Sequence, residues 1–118
     1  MNLLPGKLKR NGTGLEVLFP NGERLATRAG MTLNEGQSVL YGIRPEHLTV
    51  GVGGLPVEVI VVEPTGADTQ LYCKFIEQEV TATIRDRTNV RPGDRITLVP
   101  DVGRAHLFDA ENGRRAAP

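Results

Sequence analysis

Residues 42–48 read GIRPEHL. Just before them lies QSVLY (37–41), an ordinary strand. Arg44, Pro45, Glu46 and His47 then set three ionisable side chains around a proline, where a small domain would normally extend its sheet. An active site, a nucleic-acid contact and a structural corner would each put such residues here. Pro45 pushes Arg44 into an extended conformation and supplies no N–H of its own. The stretch therefore predicts a strand that ends sharply at a corner and a chain that is redirected there. A guanidinium lying over a sheet needs a partner. Glu63, beside Pro64 at the end of the next apolar run, is the expected partner of Arg44.

The same punctuation runs outward in both directions. Glycine (14) and proline (8) separate short runs rich in Val, Ile, Leu and Thr, the pattern of an all-β barrel or sandwich. Two Asn-Gly pairs, 11–12 and 21–22, interrupt residues 7–28. Asn-Gly supplies the positive φ angles of tight hairpins, so a three-stranded meander is expected over about residues 6–28. In LEVLF (15–19), Leu15, Val17 and Phe19 share one face. LPVEVIVVE (55–63) is nearly continuous in apolar residues and is expected to be central and covered on both faces. EPTG (63–66) fits a type I turn. DTQLYCKF, EVTATIR, RITLVP and the start of RAHLFDAENGRR supply further strands, with RPGD (91–94) as a turn and a fraying basic tail at the end. MTLNEGQ (31–37) is the expected linker between the meander (1–30) and a main barrel (38–110).

The bulk numbers narrow the function. A chain of 118 residues makes one domain, which buries roughly two-thirds of its unfolded surface without staples. Lys plus Arg and Asp plus Glu both number 14, so no net charge draws the chain to nucleic acid or anionic lipid. The basic run Arg85, Arg87, Arg91, Arg95 is interleaved with Asp86 and Asp94. Phe19, Tyr41, Tyr72 and Phe75 lie in strand patterns that assign them to the core, not to stacked bases. One cysteine, Cys73, excludes an internal disulfide and a thiolate metal cage. It is expected as a small buried hydrophobe. No glycine-rich loop opens a helix and no Gly-x-Ser-x-Gly elbow occurs. No run approaches the ~20 apolar residues of a spanning helix, and MNLLPGKLKR lacks a signal-peptide core. A cytoplasmic protein is expected, unless it is tethered to something else.

YGIRPEHL (41–48), VEVIVVEPTGADTQLY (57–72), GDRITLVPD (93–101) and AHLFDAENGRR (105–115) occur in this order. Together they resemble the C-terminal regulatory region of maltose-type ABC importer ATPase subunits, the TOBE-like region of the sugar and glycerol-phosphate importer family. MNLLPG (1–6) resembles the join after the nucleotide-binding domain. The resemblance implies a single OB-like (TOBE) β-barrel domain over 1–118 with an N-terminal meander. It implies no catalytic, cofactor or metal residues here, because ATP and Mg belong to the ATPase domain. The implied partners are a second copy of the subunit, the transporter's membrane subunits through the ATPase domain, and in some members a regulatory protein. Nucleic acid is not among them. The implied location is the inner face of the cell membrane, peripherally. Carried over by position, Ile43, Arg44, Pro45, Glu46 and His47 are the family's corner, and Glu63 and Gly66 fit its strand-turn motif. His106, Leu107 and Phe108 fit its last strand, near the contact between two copies, with Leu107 expected in the core and Phe108 at the interface. The other reading is a binder of a small oxyanion or metabolite, since related TOBE domains hold such ligands between paired barrels. Turn amides such as those of PTGAD would then be the donors.

Overall fold

The computed structural model describes residues 1–12, 14–27, 34–85 and 89–115. Nine strands follow one another: β1 (Asn2–Asn11), β2 (Gly14–Leu18), β3 (Arg24–Ala26), β4 (Ser38–Ile43), β5 (Leu48–Thr65), β6 (Asp68–Phe75), β7 (Gln78–Ile84), β8 (Arg95–Pro100) and β9 (His106–Asp109). Two single-turn 3-10 segments, Pro45–His47 and Val102–Arg104, are the helical content of the described residues. The all-β expectation therefore holds, as two antiparallel sheets.

The chain forms two compact units. The first takes Met1, Leu3–Ile43 and the chain from Val102 onward. Its sheet has the order β3-β2-β1-β4-β9. The expected meander is there, with Leu8 opposite Val17 and Val17 opposite Leu25. Gly12 and Gly22 carry the positive φ angles their turns need. Gly22 N–H donates to Phe19 O at 3.0 Å and Phe19 N–H to Glu23 O at 2.9 Å, closing a turn with Pro20 at its second position. Leu4, Leu8, Val17, Phe19, Val39, Tyr41 and Leu107 form this unit's buried face. The Phe19 and Tyr41 rings meet edge to face at 6.4 Å.

The second unit takes Asn2 and Arg44–Asp101. Its sheet has the order β7-β6-β5-β8, with Leu48, Leu55, Val57, Val59, Leu71, Cys73, Phe75, Val80, Ala82 and Leu98 buried. RPGD turns as expected. Asp94 N–H donates to Arg91 O at 3.0 Å, and Gly93 has φ 92°.

Four sequence expectations are corrected. The division at 31–37 does not match the two units, because β4 and β9 join the meander's sheet; residues 31–33 of that stretch lie outside the described residues. β5 is central, but only one face of its apolar run is covered. Ile60 and Val61 remain 49% and 45% exposed. A bulge between Val59 and Val61 resets the alternation there. The turn after β5 is not EPTG. Pro64 stays in the strand opposite Thr69, and Gly66-Ala67 makes the two-residue connection with φ 84° at Gly66. A positive φ at the first central position is what a type II′ hairpin asks of glycine. Finally, the tail does not fray at Arg114 and Arg115, which fold back on β9.

Two details of the second unit carry predictions. Asn2 is a buried polar residue, 8% exposed. Its carboxamide donates to Thr81 O and accepts from Thr81 N–H, both at 2.9 Å. It pairs the edge strand β7 as a neighbouring strand would. Asn2→Ala leaves both backbone groups unpaired and is expected to cost about 1–3 kcal/mol. Asn2→Asp should lose nearly as much, since a carboxylate cannot donate to the Thr81 carbonyl. Equilibrium urea unfolding checks both, and a neutral Asn2→Ala would show the clip to be inconsequential. Ile76, in the turn after β6, has φ 57°. A left-handed conformation costs a β-branched residue on the order of 1–2 kcal/mol. Ile76→Gly is therefore expected to raise stability by up to about 1 kcal/mol, read as a higher urea midpoint, after glycine's entropy cost is subtracted.

Candidate functional site

The corner is built as the sequence requires. Arg44 is extended (φ −75°, ψ 148°), Pro45 opens a 3-10 turn, and Leu48 N–H donates to Pro45 O. His47 N–H donates to Arg44 O at 3.0 Å, and His47 O accepts from Asp101 N–H at 2.9 Å. The turn thus anchors the start of β5 beside the end of β8, where Leu48 faces Pro100. It also packs on β7. Ile43 is buried, while Arg44 and Glu46 are exposed. Nothing about the corner gathers a reactive constellation. His47 Nδ1 is buried without a hydrogen-bond partner among the described residues.

The Arg44–Glu63 pair does not form. The ion pairs of the described residues include Glu16–Arg24 and Lys74–Glu77, each between neighbours in one hairpin or turn. Glu63 lies at the far end of β5, exposed and opposite Gln70. Arg44 sits just before β5 and Glu63 near its other end, beyond both register shifts of the strand, so the length of β5 separates them. Gly66 is the connection to β6, as described above. The structure therefore does not bring Arg44, Glu63 and Gly66 together.

His106, Leu107 and Phe108 form one short strand, β9, at the edge of the first unit's sheet. They pair with Gly42, Tyr41 and Leu40 of β4. Leu107 faces the core at 2% exposure. Phe108 and His106 stand on the opposite face, ring centroids 6.4 Å apart. Gly42 makes room there. A Cβ on it would stand 2.8 Å from Phe108 Cε2 and 2.9 Å from Met1 Sδ. Met1 and Leu3 are 53% and 45% exposed, so Phe108 belongs to an apolar surface. A second apolar surface, on the other unit, joins Ile60 and Val61 to Tyr72, with Lys74 and Glu79 along the same concavity.

Among the described residues, no group of three or more His, Cys, Asp or Glu side chains is placed to hold a metal ion. Among the same residues no helix is long and apolar enough to cross a membrane. Cys73 is buried on β6, and desolvation pushes its thiol from 9.0 up to about 11. A thiol reagent at pH 8 should therefore label the folded chain far more slowly than the urea-unfolded chain, because the thiolate is the nucleophile. The folded value lies above the unfolded one. The stability linked to it is complete below about pH 9 and falls as pH rises toward 11. Rapid labelling of the native chain at pH 8 would overturn this.

Residues 1–48 match the MalK OB fold domain and residues 41–108 match the TOBE domain. The two matches overlap on YGIRPEHL. An ABC transporter ATP-binding protein of Sinorhizobium fredii, y4oS, is 50% identical over 118 residues, covering 99% of this chain and 31% of that protein. The sn-glycerol-3-phosphate import ATP-binding protein UgpC of Escherichia coli O6:H1 is 30% identical over 98% of this chain and 33% of its own length. UgpC of Chromohalobacter salexigens is 34% identical over 97% of this chain and 31% of its own length. The chain spans about a third of the length of these relatives. The structure of the cytoplasmic molybdate-binding protein ModG with molybdate bound superposes with a TM-score of 0.72 at 15% identity, covering 90% of this chain and 94% of that one. At that identity the likeness is one of fold. The chain belongs to the TOBE domain family.

Proposed function

We propose that this chain is the regulatory and dimer-forming domain of an ABC importer's ATP-binding subunit, one that energises uptake of a sugar or a related solute such as a glycerol phosphate. One observation carries the reading. Import ATP-binding proteins match nearly all of this chain, while the chain covers only about a third of them. ATP and Mg would bind the remaining part of such a subunit. The partners are a second copy, contacted through Phe108 and His106 on β9, and the transporter's membrane subunits, reached through the ATPase domain. A regulatory protein would dock on exposed surface such as that around Ile60 and Val61. The working location is peripheral, at the inner face of the membrane.

Two experiments test it. An antibody against these residues should detect a native polypeptide about three times heavier than the 12.8 kDa chain, enriched with membranes. Deleting these residues from that polypeptide should weaken dimerisation or a regulatory input while leaving ATP hydrolysis by the rest. Unchanged dimerisation, transport and regulation would sink the reading.

The likeness to ModG favours a second reading, a binder of a small oxyanion. Backbone N–H groups of turns such as Gly66-Ala67 would be its donors. A thermal-shift panel of molybdate, sulfate, sugars and sugar phosphates separates the two, because a ligand of the folded state must raise the midpoint.

A further inference from the structure

β9 is an edge strand, and the chain that follows folds back to cover it. Asp109 N–H donates to Arg114 O and Gly113 N–H donates to Asp109 O, both at 2.8 Å. Arg115 forms a bridge opposite Phe108. The Asp109 carboxylate accepts from the N–H groups of Glu111 and Asn112, at 2.8 and 3.3 Å. Asn112 Oδ1 accepts from Arg114 N–H at 2.8 Å. Arg115 Nη2 donates to His106 Nδ1 at 2.7 Å. Residues 110–115 are all exposed and place nothing in the core. Local hydrogen bonds hold this strap without apolar burial, so it costs little to displace.

We propose that residues 110–115 are a displaceable cap that competes with a second copy of this chain for the hydrogen-bonding edge of β9. The inference rests on the reading that two copies meet along this strand. The parity of β9 says why the competitor is a second copy. Asp109 turns its N–H and C=O to the strap, and by alternation Leu107 presents the same edge. An antiparallel pairing of two β9 strands centred on Leu107 keeps each face with its like. Leu107 then lies opposite Leu107, and His106 of one copy lies opposite Phe108 of the other, twice over. Cross-strand pairs of this kind are stabilising, and no like charges face each other. An exposed edge invites strand addition, and covering it with the chain's own segment blocks it.

The test uses the 118-residue chain, the same chain carrying Gly113→Val, and the chain ended after Ala110. Gly113 has φ 71° with open space around it, so valine there strains the backbone and touches nothing else. Sedimentation velocity over a concentration series should show self-association at least tenfold tighter in both altered chains. The Asp109 amide should resist hydrogen exchange in the starting chain and lose that protection in Gly113→Val. In the shortened background, a mixture of His106→Cys and Phe108→Cys chains should form a mixed disulfide on oxidation, with buried Cys73 a bystander. If the mixed disulfide forms but strap removal leaves association unchanged, the cap is overturned and the β9 contact stands. Should no mixed disulfide form in any background, the β9 contact falls and the cap with it. An Asp109 amide that exchanges freely in the starting chain also overturns the cap.

Discussion

Gly54→Ala is expected to lower the stability of the second unit by about 3–4 kcal/mol, the scale of a steric conflict that cannot relax. β5 meets β8 twice at one residue, since Val50 and Leu55 are both registered to Leu98. Residues 51–54 make an excursion between those two pairings, with Val52 94% exposed at its tip. The chain can rejoin β8 only by passing its backbone against the Leu98 carbonyl. A Cβ on Gly54 would overlap Leu98 O and lie 2.8 Å from Leu98 C and 2.9 Å from Val99 Cα. All three atoms are backbone held in the ladder, so no side chain can swing away. Gly53→Ala is the matched control. Gly53 has φ 84° and open space, so only the left-handed backbone is penalised, by about 1–2 kcal/mol. Urea midpoints of the two variants decide the matter. If Gly54→Ala cost no more than Gly53→Ala, the close approach of β5 to β8 would be wrong.

Features of this fold set by neighbours in the chain are legible in the sequence, and those set by distant strands are not. The corner was legible because proline acts on its immediate neighbours: Arg44 is extended and the strand ends at Ile43. The meander was legible because its turns lie within the chain they connect. The parity of LEVLF placed Val17 and Phe19 inward, at 0% and 2% exposure. Long-range choices were not legible. β9 reaches β4 from more than sixty residues away, and no local pattern says so. The bulge at Ile60 was hidden because an unbroken apolar run has no alternation to lose. Pro64 and Gly66 each propose a turn, and the structure uses only the glycine, since Pro64 needs no N–H partner where β8 no longer runs beside β5.

The candidate site follows the same division. Alternation alone separates Leu107 from Phe108, and the structure keeps them on opposite faces of β9. The Arg44–Glu63 pair failed because it was built from similar surroundings in sequence, not from distance in space. Asn2 was missed, although a signal existed. It shares parity with Leu4 and Leu8, both 1% exposed, so the alternation of β1 sends its side chain inward. A polar side chain sent inward must find partners, and the edge of β7 supplies them. The basic composition of the last residues predicts a fraying tail, and the structure folds Arg114 and Arg115 back on β9 instead. Asn112-Gly113 did mark a turn, but its return partner was the strand just before it.

Phe19→Ala is expected to cost the first unit about 3–5 kcal/mol, the range for deleting a buried phenylalanine side chain. Phe19 sits just beyond β2, 2% exposed, where the chain turns through Pro20 and Gly22. Its backbone closes that turn while its ring meets Tyr41 edge to face. Gly6 leaves space beside it, as a Cβ there would stand 3.4 Å from Phe19 Cδ1. The loss has two parts that measurement can separate. The aromatic pairing accounts for about 0.5–1.5 kcal/mol, and burial with the cavity left behind accounts for the rest. Phe19→Leu keeps most of the volume and removes the ring, so it should cost about 1.5–2.5 kcal/mol, the pairing term plus an imperfect refit. Hydrogen exchange at the amides of β1 and β2 reads the effect where it arises, because protection in those strands reports the opening of that sheet. Equal costs for Phe19→Leu and Phe19→Ala would mean that ring geometry, not burial, holds this face of the sheet together. A cost below about 1 kcal/mol for Phe19→Ala would mean that the ring is not in the core at all.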